Sequence, residues 1–141
     1  MVREALIKKA FEVRQNAYVP YSHFKVGAAL LAASGKVYTG CNVESASYGG
    51  TNCAERTALF KAVSEGESEF KAIAVVGDPD AYTFPCGICR QVLVEFGGEL
   101  EVIVAKTLKD YRVFTLNELL PHSFTPKDLE ESRKKERSHE L

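Results

Sequence analysis

Leu6, Ile7, Ala10, Phe11, Val13 and Ala17 recur at the three-and-four spacing of a helix with one apolar face, which predicts a helix over residues 2–17. Pro20 disfavours helix in the residue before it and closes that segment. Phe24 to Ala32 is apolar and rich in small residues, and Val37 to Val43 alternates with β-branched and aromatic types. Ser34-Gly35 between them supplies turn chemistry, so the two runs read as a hairpin. Residues 44–52, ESASYGGTN, are small and polar and read as a loop. Ala54 to Ser64 is helical with Gly66 just beyond it, Ala72 to Val76 is an apolar run of strand length, and Asp78 to Pro85 is a loop. Cys86 to Phe96 is a further helix stopped by Gly97-Gly98, Val102 to Ala105 is a buried-strand run, and Arg112 to Phe114 reads as a short edge strand. Thr115 and Glu118 have the spacing of a capping box, and Thr125-Pro126 marks a last helix start. Strand, helix, strand, helix, strand from Val37 onward requires crossover connections. The middle strands are therefore expected to be parallel, the hairpin antiparallel, and the mixed sheet covered on both faces.

Length and charge narrow the function classes. A chain of 141 residues suits one core, and 45% hydrophobic with 26% charged residues is an ordinary globular mix. The net charge of -1 argues against a nucleic-acid clamp, which shows a basic stripe; the short run from Arg133 to Arg137 is broken by acids. No apolar stretch is long enough to span a bilayer, and the start MVREALIKKA lacks a signal peptide's apolar region and cleavage site, so a cytoplasmic protein without a membrane partner is expected. Four cysteines in that compartment point to metal or catalysis rather than disulfides.

Cys86 and Cys89 have the spacing that lets two thiolates reach one ion from a helix entry, although a redox pair shares it. Cys53, at a separate helix start, favours metal, and three soft thiolates suit zinc. A fourth thiol at Cys41 leaves open a closed structural site. His23, His122 and His139 have no ligand spacing. Glu55 is an acid that a closed zinc-thiolate cluster has no use for, whereas beside a zinc-bound water it can carry protons; its alternative is an ordinary first-turn acid. Three thiolates on one dication leave a net negative site. Two helix N-termini would offset this, together with Arg56 and Arg90, which at about 100° per residue share a face with Cys53 and Cys86. Two solvated surface arginines are the bland alternative. Cys53 and Glu55 are about 200° apart on an ideal helix, so spacing does not bring them to one ion.

The stretches CAERTALF (Cys53 to Phe60) and PCGICRQ (Pro85 to Gln91), with YVPYSHFKVGAAL (Tyr18 to Leu30) and GCNVESASY (Gly40 to Tyr48), resemble the zinc-dependent cytidine deaminases of the short, three-cysteine, homotetrameric type. The resemblance implies a three-layer α/β/α fold with a mixed, mostly five-stranded sheet, a catalytic domain over residues 1–126 and a charged tail over 127–141. It implies one zinc ion per subunit on Cys53, Cys86 and Cys89, a water in the fourth position that attacks C4 of cytosine, and Glu55 as proton shuttle. It implies that Asn42 and Glu44 hold the ribose with Val43 between them, that Phe24 packs on the base, and that Tyr48 and Phe124 complete the pocket across a subunit boundary. Arg56 and Arg90 would donate to the thiolates, and Cys41 would not be a ligand. The implied reaction is hydrolysis of cytidine and 2'-deoxycytidine to uridine and 2'-deoxyuridine in pyrimidine salvage. A deaminase of cytosine-containing antibiotics and a nucleic-acid editor are the rival enzymes; a structural zinc protein or redox module is the rival outside catalysis.

Overall fold

The computed structural model describes residues 2–139, with side chains described for 3–131 and 133. The chain runs α1 (Val2–Arg14), β1 (Gly27–Ala32), β2 (Val37–Cys41), a 3-10 turn (Tyr48–Gly50), α2 (Ala54–Ser64), β3 (Phe70–Val76), α3 (Gly87–Val94), β4 (Glu101–Ala105), β5 (Tyr111–Thr115), α4 (Leu116–Leu119) and α5 (Pro126–His139). The side chain of His139 lies outside the described residues.

The five strands form one sheet in the order β2-β1-β3-β4-β5. Strand β1 is antiparallel to both β2 and β3, β3 is parallel to β4, and β4 is antiparallel to β5. Strands β2, β3 and β4 therefore point the same way, as the crossover argument requires. Only β3 and β4 pair directly in parallel, because the α2 crossover steps over β1 and leaves β2 at the edge.

Alternation along the central strands buries both faces. Ala28, Leu30, Ile73, Val75, Val102 and Val104 pack with Ala54, Ala58, Leu59, Ala62, Leu93 and Val94 of α2 and α3. Their neighbours Ala29, Ala72, Ala74, Val76, Ile103 and Ala105 pack on Leu6, Ile7 and Ala10 of α1. The result is helix, sheet, helix in three layers. Leu59 roots α2 in this core with no exposed surface, and truncation of such a residue to alanine costs about 2–5 kcal/mol.

Four elements are shorter than the sequence predicts: α1, β1, β2, which ends at Cys41, and α3, which spans Gly87–Val94. Helix α1 stops at Arg14 because the next amides turn back onto Glu12, Val13 and Arg14, and Tyr18 instead bridges Val43. Strand β1 begins at Gly27, not Phe24. The Asn42 side chain takes over the missing ladder there, accepting from Val26 N at 2.9 Å and donating to Phe24 O at 2.8 Å.

Candidate metal centre

Strands β2 and β3 end at the same edge of the sheet, so the helices that follow them start side by side there. Cys53 caps α2 and Cys86 caps α3, each with extended backbone dihedrals (φ -74, ψ 155 and φ -68, ψ 170). Because Cys53 stands outside the helix, the angular separation calculated for an ideal helix does not apply to it. Cys89, buried in the first turn of α3, supplies the third sulfur. The three sulfurs lie within 4.8 Å of one another, and those of Cys53 and Cys86 are 3.8 Å apart. An ion about 2.3 Å from each sulfur at tetrahedral angles sets sulfurs about 3.8 Å apart, so the spacing is that of a shared tetrahedral ion. It is nearly twice the length of a disulfide bond. Cys41, half-buried in β2, is not one of this group.

Electrostatics favour a cation. A hydrogen bond from Cys89, with others from the Arg56 guanidinium at 3.2 Å and from Cys86, pulls the Cys53 thiol down to about 5. The Cys89 thiol is pushed up by its link to the Cys53 sulfur, by burial and by the negative charge of Glu55 and Cys53. One thiolate thus opposes the next until a dication is present to be shared. Three soft sulfurs with no redox demand suit zinc. Neither capping thiol accepts a capping hydrogen bond from the backbone of the helix it precedes, so both sulfurs stand at helix N-termini, where the dipole favours a thiolate.

Glu55 is 4% exposed, in the first turn of α2, and burial pushes its carboxyl up to about 7. Its depth is set by Gly40 of β2. A Cβ there would meet Ala58 N at 2.5 Å and Ala54 O at 2.6 Å, so α2 lies against the strand's backbone where any side chain would hold it off.

Arg56 reaches Cys53 as helical spacing suggests. Arg90 does not reach a thiolate: its Nε donates to Pro85 O at 2.8 Å and its Nη1 to Leu119 O at 2.7 Å. The face-sharing argument treats Cys86 as a helical residue, whereas Cys86 is a cap and its sulfur leaves the Arg90 face. Arg90 instead ties the start of α3 to the end of α4.

The six residues expected at the nucleoside lie on the loops around this edge. Asn42 is buried and holds Phe24 and Val26 as described above. Glu44 accepts from Tyr21 N at 3.0 Å, from Ser22 N at 3.1 Å and from the Ser22 hydroxyl. Val43 bridges Tyr18 and Asn52. Phe24, Val43, Tyr48 and Phe124 expose their side chains, with Tyr48 edge-on to Tyr21 at 5.9 Å and the Phe124 carbonyl accepting from Gln91. The Ser22 and Tyr21 contacts to Glu44 escape sequence reasoning, since the partners are more than 20 residues apart with no local signature.

Residues 1–106 match the profile of the cytidine and deoxycytidylate deaminase zinc-binding region. The chain belongs to this family. A cytidine deaminase of Halalkalibacterium halodurans is 52% identical over 130 residues, covering 92% of this chain and 98% of its own length. One from Sporosarcina psychrophila is 51% identical over 127 residues, covering 89% and 93%. The crystal structure of cytidine deaminase from Burkholderia pseudomallei superposes with a TM-score of 0.83 at 53% identity, covering 88% of this deaminase and all of that chain. Among the described residues, no helix is long and apolar enough to cross a membrane.

Proposed function

We propose that this deaminase hydrolyses the exocyclic amine of cytidine and 2'-deoxycytidine, giving the uracil nucleoside and ammonia. The observation that carries the reading is the meeting of three sulfurs at two helix N-termini with one buried acid beside them. Zinc on Cys53, Cys86 and Cys89 supplies Lewis acidity and acidifies a water when bound.

The chain's own groups do the remaining work. Glu55 takes a proton from the attacking water and gives it to N3 as C4 becomes tetrahedral, then takes the second proton from the new C4 hydroxyl and delivers it to the departing amine as the C4 carbonyl forms. One water is consumed and one ammonia leaves. A carboxyl whose burial holds it near neutrality can both accept and donate at physiological pH. Hydrogen bonds from Cys89 and then from Arg56 favour the thiolate form of the Cys53 sulfur. Asn42 and Glu44 lie at alternate positions of an extended segment, which points both toward one side for the sugar hydroxyls. Asn42 keeps one amide hydrogen beyond those its fold contacts use. Phe24 offers its exposed ring to the base, and Val43 lines the contact.

The exposed Tyr48 and Phe124, on loops around the site, support a pocket completed by a neighbouring subunit of a homotetramer. Residues 1–126 form the catalytic domain in this reading, with 127–141 an appended tail, in line with relatives that match 127 to 130 residues of the chain. The near-neutral charge favours a free nucleoside over a nucleic acid, and the proposed setting is cytoplasmic pyrimidine salvage.

The deciding experiment is a spectrophotometric assay with cytidine, deoxycytidine and blasticidin, with zinc measured on the same sample. Turnover of both nucleosides by protein carrying one zinc per chain is expected. Turnover of the antibiotic alone, or none despite full zinc, overturns the assignment.

A further inference from the structure

Cys86 is the exposed residue of the three candidate ligands, the one most open to solvent and to a competing chelator. The segment in front of it, Tyr82 to Pro85, is irregular yet held at every residue. Tyr82 donates through its hydroxyl to Asp110 in the β4–β5 turn, with Lys106 Nζ and Arg112 Cζ each 4.6 Å from its ring centre. Phe84 packs on Phe114 of β5, ring centres 5.5 Å apart. Thr83, between them, turns the other way. Its hydroxyl sits so close to Gly77 that a Cβ there would meet it at 2.3 Å, and the same Cβ would meet the Phe24 ring at 3.0 Å. Pro85 is buried and its carbonyl accepts from Arg90. The alternation of Tyr82 and Phe84 against Arg112 and Phe114 is that of an extended segment laid on the outer strand.

We propose that Tyr82 and Asp110 are positioning residues that clasp the ligand-bearing segment to the β4–β5 hairpin and thereby slow escape of zinc from Cys86. Neither belongs to the group of three sulfurs. The clasp joins residues 28 apart and lies four positions before a ligand. The β4–β5 turn follows the C-terminal end of β4, the end of the sheet at which β3 also gives way to the ligand-bearing segment, so the hairpin gains a part in metal retention. This rests on the zinc assignment above.

The test is the rate at which fully loaded enzyme gives up zinc to excess pyridylazoresorcinol, followed by its colour. Tyr82→Phe keeps the ring between its cations and removes the donor, and Asp110→Leu removes the acceptor at similar size, so each breaks the charged hydrogen bond. Each should release zinc about fivefold faster than the parent, and the double variant no faster than either alone. Glu67→Gln is the control. Glu67 accepts from Ser34 and Tyr38 beyond the far end of α2, so its loss should lower the melting temperature without changing zinc release. Release within about twofold of the parent for both single variants overturns the proposal. Equal acceleration by Glu67→Gln also overturns it, since general loosening would then explain the effect. A parent protein that carries no zinc overturns the metal assignment itself, a result readable before any variant is made.

Discussion

Replacing Gly40 with alanine tests how closely the chemistry depends on the seating of α2. The added methyl would lie 2.5 Å from Ala58 N, 2.6 Å from Ala54 O and 2.9 Å from Thr57 Cβ. Ordinary contact begins near 3.4 Å, so the helix must retreat by 3.4 less 2.5, about 0.9 Å. Two of the three obstacles are backbone atoms, which no rotamer change can move aside. Overpacking of this kind costs about 1–3 kcal/mol, which lowers Tm by roughly 3–10 °C for a chain of this size. The functional loss should be larger in proportion. Cys53 and Glu55 both ride on the displaced end, and a shift of about 1 Å can cost about 100-fold in rate. The assay is kcat and KM for cytidine beside a thermal melt, with Gly35→Ala for comparison. Gly35 has φ +95 and no neighbour within 4 Å of a built Cβ, so its replacement strains the backbone by about 1 kcal/mol without moving α2. A Gly40→Ala enzyme with parental kcat, or a Gly35→Ala enzyme that loses as much activity, refutes the reasoning.

Glu55→Gln should keep one zinc per chain and lose about 100- to 10,000-fold in kcat with little change in KM; zinc loss alongside activity would mean the acid has a structural part. Cys41→Ala should keep both zinc and turnover, and change stability by no more than about 1 kcal/mol; released zinc would mark Cys41 as a fourth ligand. The Ser34 and Tyr38 hydroxyls hold the Glu67 carboxyl below the usual carboxylate range. Its folded value is depressed, so its contribution is present above the unfolded value and fades as pH falls through the folded one. The Tm gap between the parent and Glu67→Gln should therefore be wide at neutral pH and narrow in acid, and a gap independent of pH would show that this carboxylate is not the source.

Much of the architecture could be read from the alternation of apolar residues, because the central strands are buried on both faces and leave unbroken runs such as Ala72 to Val76. The zinc ligands were legible for a local reason as well, since Cys86 and Cys89 are near neighbours at a helix start. The Arg90 expectation fails for a geometric reason: Cys86 is a cap with extended backbone, so helical-wheel spacing does not hold there, and Arg90 holds Pro85 and Leu119. Phe24 to Val26 has the composition of a strand, yet the Asn42 side chain supplies two of its bonds and the Asn42 backbone amide a third. Contacts such as Glu44 to Ser22 and Tyr82 to Asp110 are made by ordinary polar residues meeting across the fold, and carry no signature in either local segment.

The two capping thiols also constrain how this chain could be improved. Where no chemistry is asked of it, the chain caps conventionally, as Thr115 and Glu118 do at α4. At Cys53 and Cys86 it forgoes the serine or aspartate that would secure each helix by about 1 kcal/mol. A thermostabilising campaign guided by helix starts would select those two positions early, and each gain in rigidity there would remove a metal ligand.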